Sequence, residues 1–439
     1  MTRPHAWLAA LALAAAALAC GEGERSAPEP AKPAAEGPTG AQAPATPADL
    51  PRGLVLALSP FEVTPEGKVL PKPQAARLEF LRRRGGRWET SALDDPESNV
   101  FHKAMLYAPA GAEPALLTLG GSAAVVKLRR GGERVEVLWK EDFGGRFSRM
   151  RDAEFGDLYG DGAAAIAVAT HDQGVVAALR PGAAGGKVEV LDREKDTFVH
   201  EIELGDLDGD GTLEVYATPS EPNRLDGTAQ PGKVVRYVPA RGEGRKVVAD
   251  LGERHAKEIL VADVDGDGTD ELYVAVEALV EGKGAAARLL EPVEIRRYDA
   301  GTPPDAGAVV ARIEGERLTR CLTAGDVDGD GKRELVAAAF KTGLWLLRPG
   351  ADPRGRWTIT SIDRNSSGFE HAALLTDLDG DGRDELYAAS DDHAEVRRYV
   401  WVGSGFARET IYERKVGGRK LPGAAFTWNI MPVPLELVP

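Results

Sequence analysis

The chain has 439 residues, 43% apolar and 28% charged, which suits a folded chain far above the size needed to sustain a core. Its 69 acids against 54 bases give a net charge of −15, which argues against a nucleic-acid partner, because phosphate binding needs a basic face. Only two cysteines occur, Cys20 and Cys321, which excludes a disulfide-rich scaffold and a cysteine-based zinc site.

Taken in chain order, Arg3 and the apolar run from Ala6 to Ala19 read as an export signal. The run is 14 residues long, short of the roughly 20 that span a bilayer. Ala17-Leu18-Ala19-Cys20 resembles a bacterial lipobox, with Ala17 where the pattern usually has leucine. The resemblance implies that Cys20 becomes the first mature residue and carries a lipid. Residues 21–52 are rich in Ala, Pro, Gly and Glu and hold no aromatic, so they are expected to form a disordered tether. A Pro-rich tether extends by up to about 3.1 Å per residue. The expected location is the bacterial cell envelope with a lipid anchor at Cys20, and a periplasmic or secreted protein is the alternative. Cys321, close to Leu318 and Leu322, reads as a buried inert thiol.

The rest of the chain, residues 53–439, is organised by a repeat. Four segments share one pattern: LGDLDGDGTLEVYA, VADVDGDGTDELYV, AGDVDGDGKRELVA and TDLDGDGRDELYA, with GDLYGDGAAAIAVA as a worn fifth copy. Their first aspartates are Asp157, Asp206, Asp263, Asp326 and Asp377, spaced by 49, 57, 63 and 51 residues. At that period the region holds seven units. Each unit reads as four short strands, with alternating or β-branched residues and Gly, Pro or Asp punctuation. Radial repetition of this kind predicts an all-β chain folded as a β-propeller of seven four-stranded blades. Residues 53–94 supply later strands of a blade but no acidic loop, so the segment 424–438 is expected to complete that blade and close the ring.

The intact loops read D-x-D-G-D-G-x-x-E. Alternate carboxylates on a Gly-kinked loop converge on one hard cation, and calcium accepts six to eight oxygens where magnesium keeps its waters. The candidate ligands are Asp206, Asp208, Asp210 and Glu214; Asp263, Asp265, Asp267 and Glu271; Asp326, Asp328, Asp330 and Glu334; and Asp377, Asp379, Asp381 and Glu385. The seventh position is Thr212, Thr269, Lys332 or Arg383, where only a main-chain carbonyl serves every loop. An EF-hand is excluded because its twelfth position, a carboxylate, is Ala217, Val274, Ala337 or Ala388 here.

These repeats resemble the VCBS and FG-GAP repeats of bacterial extracytoplasmic proteins, whose calcium loops are similar to those in the propeller of integrin alpha subunits. The resemblance covers roughly residues 99–414 and implies about four structural calcium ions held by the residues just named. The loop at Asp157 departs from it, with Tyr159 and Ala165 in place of two acids, and is expected to hold no calcium. Setting the sixteen ligand acids apart from the 69 leaves 53 acids against 54 bases, so the rest of the chain is nearly neutral.

Six residues before each first aspartate stand Arg151, His200, Lys257, Arg320 and His371, with His102 and Lys103 comparably placed in the loopless unit. The offset is about 20 Å, a strand's length, so these side chains are expected at the end of the blade away from the acidic loops. They are a candidate ring for an anionic ligand, or else pair locally with acids such as Asp152, Glu201 and Glu258. Parity places them on one face with apolar residues such as Ile202 and Leu204. Recurrent Arg236-Tyr237, Arg297-Tyr298 and Arg398-Tyr399 on the third strand read as alternating packing.

No nucleophile elbow, zinc-protease motif or phosphate loop is present. The expected function is a calcium-stabilised, monomeric binding or adhesion module for a protein or glycan. The alternative is an enzyme similar to the polysaccharide lyases, in which the basic ring would abstract a proton beside a uronate.

Overall fold

A computed structural model describes residues 46–131, 134–144, 148–171, 173–182, 185–221, 230–282 and 287–439. The signal, Cys20 and the tether up to residue 45 lie outside the described residues. Residues 46–51, which composition groups with the tether, pack onto the disc. The Gly86 amide donates to the Ala48 carbonyl at 2.8 Å, the Asp49 carboxylate accepts from the Gly85 amide at 2.7 Å, and Leu50 is buried. Among the described residues, no helix is long and apolar enough to cross a membrane.

The chain forms seven four-stranded antiparallel blades. Blade 2 runs from Val100 to Glu141, blade 3 from Met150 to Arg193, blade 4 from Phe198 to Asp250 and blade 5 from Ala256 to Ile313. Blade 6 spans Thr319–Asp363 and blade 7 Ala373–Glu413. Blade 1 takes three strands from the amino-terminal side, Arg52–Val63, Ala76–Arg84 and Arg87–Asp95, and its innermost strand from the carboxyl terminus, Ala425–Pro434. Val55 pairs with Met431 and Leu56 with Ile430, so the predicted closure holds.

The apolar residues do not form one central core. They fall into seven buried clusters, one in each interface between neighbouring blades. Second strands such as Glu334–Ala339 and Glu385–Ser390 are buried along their whole length, because a blade lies against each of their faces. Outermost strands such as Arg87–Asp95 alternate toward solvent. This arrangement lines the axis with the innermost strands, each of which starts at one mouth of the channel and, in blades 3 to 7, ends in a loop at the other.

Candidate metal centres and the channel

The acidic loops join the first and second strands of blades 3 to 7. In each, the first aspartate folds the loop around itself. Asp263 Oδ1 accepts the Gly266 and Asp267 amides at 2.7 and 3.1 Å, and Oδ2 accepts the Gly268 amide at 3.0 Å. Gly266 and Gly268 have φ of 77° and 91°, the left-handed region where glycine is free of strain. Nothing lies within 4 Å of a Cβ built at either position, so the glycines serve the turn rather than a close approach. The seventh residue bonds back as well, with amides of Thr212, Thr269, Lys332 and Arg383 donating to the fifth-position aspartate at 2.9 to 3.0 Å.

The ninth-position glutamates are buried, and three further groups hold each of Glu214, Glu271 and Glu385. Glu271 Oε2 accepts the Val264 amide at 3.2 Å and the Tyr273 hydroxyl at 2.9 Å, while Oε1 lies 3.3 Å from Arg297. Glu385 is held alike by Leu378, Tyr387 and Arg398. In blade 4 the partners of Glu214 are Leu207, Tyr216 and Arg236. Arg348 and the Val327 amide serve Glu334, where Val336 replaces the tyrosine. The third-strand arginines therefore do more than pack: Arg297, Arg348 and Arg398 also reach the third-position aspartates Asp265, Asp328 and Asp379 at 2.6 to 2.8 Å. The Arg-Tyr pairs at Arg297 and Arg398 were visible in the sequence, but nothing there connected them, or Arg348, to loops 19 to 32 residues away.

Among the described residues, four groups bring carboxylate oxygens within 4.8 Å of one another. Asp263, Asp265, Asp267 and Glu271 assemble completely; the others are Asp206, Asp208 and Asp210; Asp326, Asp328 and Glu334; and Asp377, Asp379 and Glu385. Glu214, Asp330 and Asp381 stand outside their groups. Asp381 is drawn to Arg383, and Glu214 to Tyr216 and Arg236. The donor set fits a hard cation. Asp328 Oδ1 and Asp379 Oδ1 are buried acceptors with no hydrogen-bond partner among the described residues, and burial pushes Glu271, Glu334 and Glu385 up to about 7. A bound cation would relieve both. The worn loop keeps the turn through Asp157, which accepts the Asp161 and Gly162 amides. Its acidic partner Asp161 is taken by Arg180 at 2.6 Å, a guanidinium that also lies over the Tyr159 ring.

Loops are joined from blade to blade through their eighth residue. Asp270 accepts the Asp206 amide at 2.9 Å, Arg333 donates to the Asp263 carbonyl at 3.3 Å, and Asp384 accepts the Asp326 amide at 2.9 Å. Arg52 of blade 1 donates to the Asp377 carbonyl at 2.8 Å.

At the opposite end, five innermost strands and the closing strand carry a register shift where the ring was expected. The skipped residues are His102, Arg151, Arg320 and Trp428, together with His200-Glu201 and Lys257-Glu258. Such bulges re-aim side chains, so the basic residue no longer shares its face with Ile202 or Ile259. Arg151 and Arg320 line a cavity of about 210 Å³. His200 and Lys257 are 2% and 1% exposed and do not line it. Burial and the neighbouring Arg320 hold Lys257 down at about 7. His371 leaves the ring. It precedes the innermost strand of blade 7 at φ 47°, and its Nε2 and Nδ1 are engaged by Ser366 and the Ala339 carbonyl, each at 2.7 Å. Glu370 takes its place on the cavity wall. Cys321 is on that wall too, half-buried against the cluster between blades 6 and 7, and donates to the Ala373 carbonyl at 3.2 Å. Burial holds its thiol well above the usual range.

Fold and loops together define a seven-bladed β-propeller with metal-type acidic loops in consecutive blades. Residues 326–388 match the family model of the FG-GAP-like repeat, a stretch that runs from the acidic loop of blade 6 to the second strand of blade 7. No curated protein matches the sequence. Among solved structures, a protein from Lactobacillus plantarum aligns with a TM-score of 0.51 at 10% identity, over 87% of this chain and 99% of that one. A chain of a nidogen and laminin complex aligns with a TM-score of 0.40 at 12% identity, over 86% and 98%.

Proposed function

We propose that this chain is a calcium-stabilised binding module of the bacterial cell envelope, tethered through Cys20 and presenting its propeller to a protein or glycan. The observation that carries the reading is the grouping of carboxylate oxygens in the loops of four consecutive blades. Calcium suits such all-oxygen groups, and FG-GAP repeats are an extracytoplasmic module. Each ion would join two strands of one blade, and the eighth-position contacts would pass that stiffening to the next. Thr212, Thr269, Lys332 and Arg383 would offer main-chain oxygens. The ligand-binding role rests on the charged cavity on the axis.

The lyase reading has one feature in its favour, Lys257 held near 7 and so able to act as a base at neutral pH. Its 1% exposure, away from the cavity wall, favours binding without chemistry. A screen against envelope proteins and acidic polysaccharides, run in calcium and in EDTA, tests the proposal. A ligand held in calcium and released in EDTA supports it, and ultraviolet absorbance from an unsaturated uronate product would transfer the reading to a lyase. Loss of the chain from the membrane fraction on Cys20→Ser tests the anchor.

A further inference from the structure

The bulges in the innermost strands of blades 1 to 6 place two tiers of opposite charge around the channel, one residue apart. Arg151 precedes Asp152, Lys257 precedes Glu258, and Arg320 stands in the same tier as Arg151. Both tiers contribute to one cavity of about 210 Å³, room for about seven waters or one small organic solute.

The acidic tier holds more carboxyls than cations, and burial beside one another raises Glu201, Glu203 and Glu258 toward the protonated form, so an ammonium group placed among them would draw them into the charged form. Asp152, Glu154, Glu201, Glu203 and Glu258 line the cavity, and the cation among them is Lys103, whose Nζ lies 2.9 Å from Asp152 and 2.5 Å from Glu154. Among the described residues, Glu201, Glu203 and Glu258 have no ion-pair partner; Glu258 Oε1 accepts only the Leu322 amide, at 2.6 Å. No three of these acids bring oxygens within 4.8 Å of one another, which disfavours a bare metal ion and suits a bulkier ammonium group.

The other tier has unspent hydrogen-bonding groups. Arg151 is engaged by Glu370 at 3.4 Å. Arg320, 7% exposed, lies 3.2 Å from Glu277 through Nε, and its buried Nη2 has no partner among the described residues. His102, 2% exposed, donates from Nδ1 to the Met150 carbonyl at 2.8 Å, so its Nε2 is an acceptor, and it too is unpartnered among the described residues. A purely anionic ligand would face six lining acids, counting Glu370, against the three cations Lys103, Arg151 and Arg320.

We propose that this cavity binds a small zwitterion, with its carboxylate on Arg320 and its ammonium group among Glu201, Glu203 and Glu258. His102 Nε2 accepts from an N–H or O–H of the same molecule, and Trp428 supplies an aromatic wall. This deepens the binding-module reading and is independent of the calcium loops.

The test uses the mature, calcium-loaded protein and titration calorimetry against the common free amino acids and glycine betaine. For any that binds, the N-acetyl form, the amide and the same residue inside a tripeptide follow. The expected result is binding of at least one zwitterion, weakened at least tenfold by blocking either charge. Arg320→Gln should weaken the zwitterion at least tenfold and leave the weaker amide unchanged; His102→Gln gives a second, milder loss should the arginine variant not fold. Equal binding in the tripeptide would assign the site to a chain segment rather than a free solute and overturn the proposal, as would equal binding of the blocked forms or no binding across the panel. Calcium titration of the same samples separates failure of the channel site from failure of the loops.

Discussion

Asp384 of blade 7 and Asp326 of blade 6 exchange two hydrogen bonds across the interface between their loops: the Asp326 amide donates to Asp384 Oδ2 at 2.9 Å, and the Asp384 amide donates to the Asp326 carbonyl at 2.8 Å. Gly325 makes room for this, since a Cβ there would sit 2.5 Å from Asp384 Oδ2. Removing the side chain leaves a half-buried amide unpaired, at a cost of about 1–3 kcal/mol. Asp384→Ala should therefore lower the melting temperature with calcium present or absent, and weaken calcium binding by the 326–334 loop although Asp384 lies outside it. A melt equal to wild type would show that the contact is incidental.

Arg398 is buried between Glu385 Oε1, at 2.6 Å, and Asp379 Oδ2, at 2.8 Å. Taking away one member of a buried ion cluster costs about 3–5 kcal/mol. In Arg398→Ala the two carboxylates lose their counter-charge, so the calcium-free protein should be strongly destabilised and calcium should recover more of the loss than it adds to wild type. The difference in melting temperature between calcium and EDTA reads this directly. An unchanged difference would mean that the arginine and the ion do not share these carboxylates.

The loop at Asp157 holds a guanidinium where its neighbours gather acids, through Arg180 and Asp161. Asp206→Asn, Asp263→Asn, Asp326→Asn and Asp377→Asn should each remove one calcium ion per chain. Asp157→Asn should leave the stoichiometry unchanged, counted by mass spectrometry under native conditions. Loss of an ion from the Asp157 variant would return metal binding to the fifth loop.

Glu258 is pushed up to about 8 by burial beside other carboxylates. A carboxyl raised in the folded state binds more protons there than in the unfolded chain, so its contribution is full below about pH 4.5 and is lost as pH rises through 8. Glu258→Gln removes that loss. Relative to wild type, the variant should gain about 3 to 4 kcal/mol in stability between pH 5 and pH 8, measured by chemical denaturation at both values. A pH-independent difference would place the charge elsewhere in the cluster.

The blade count was legible in the sequence because each acidic loop marks the same corner of its blade, and the closing strand followed from a first blade one strand short. The metal groups were legible because ligand spacing within a loop is local. What escaped depends on geometry between segments. The shifts at Arg151 and Arg320 reverse the parity that alternation predicts, so the sequence could not show that a residue such as Glu258 would face the axis alongside the basic tier. His371 failed for a local reason: its left-handed backbone lies before the strand begins, and both ring nitrogens are already bonded. Asp270 and Asp384 share the acidic look of their loops, and only the packed disc shows that they reach back to the preceding blade.

Calcium held by four consecutive loops is the central claim, and a calcium titration of metal-free protein, followed by calorimetry and by thermal melting, tests it most directly. Four ions per chain and a melting temperature raised by several degrees are the predicted result. No heat of binding, with the same melt in calcium and in EDTA, would contradict it.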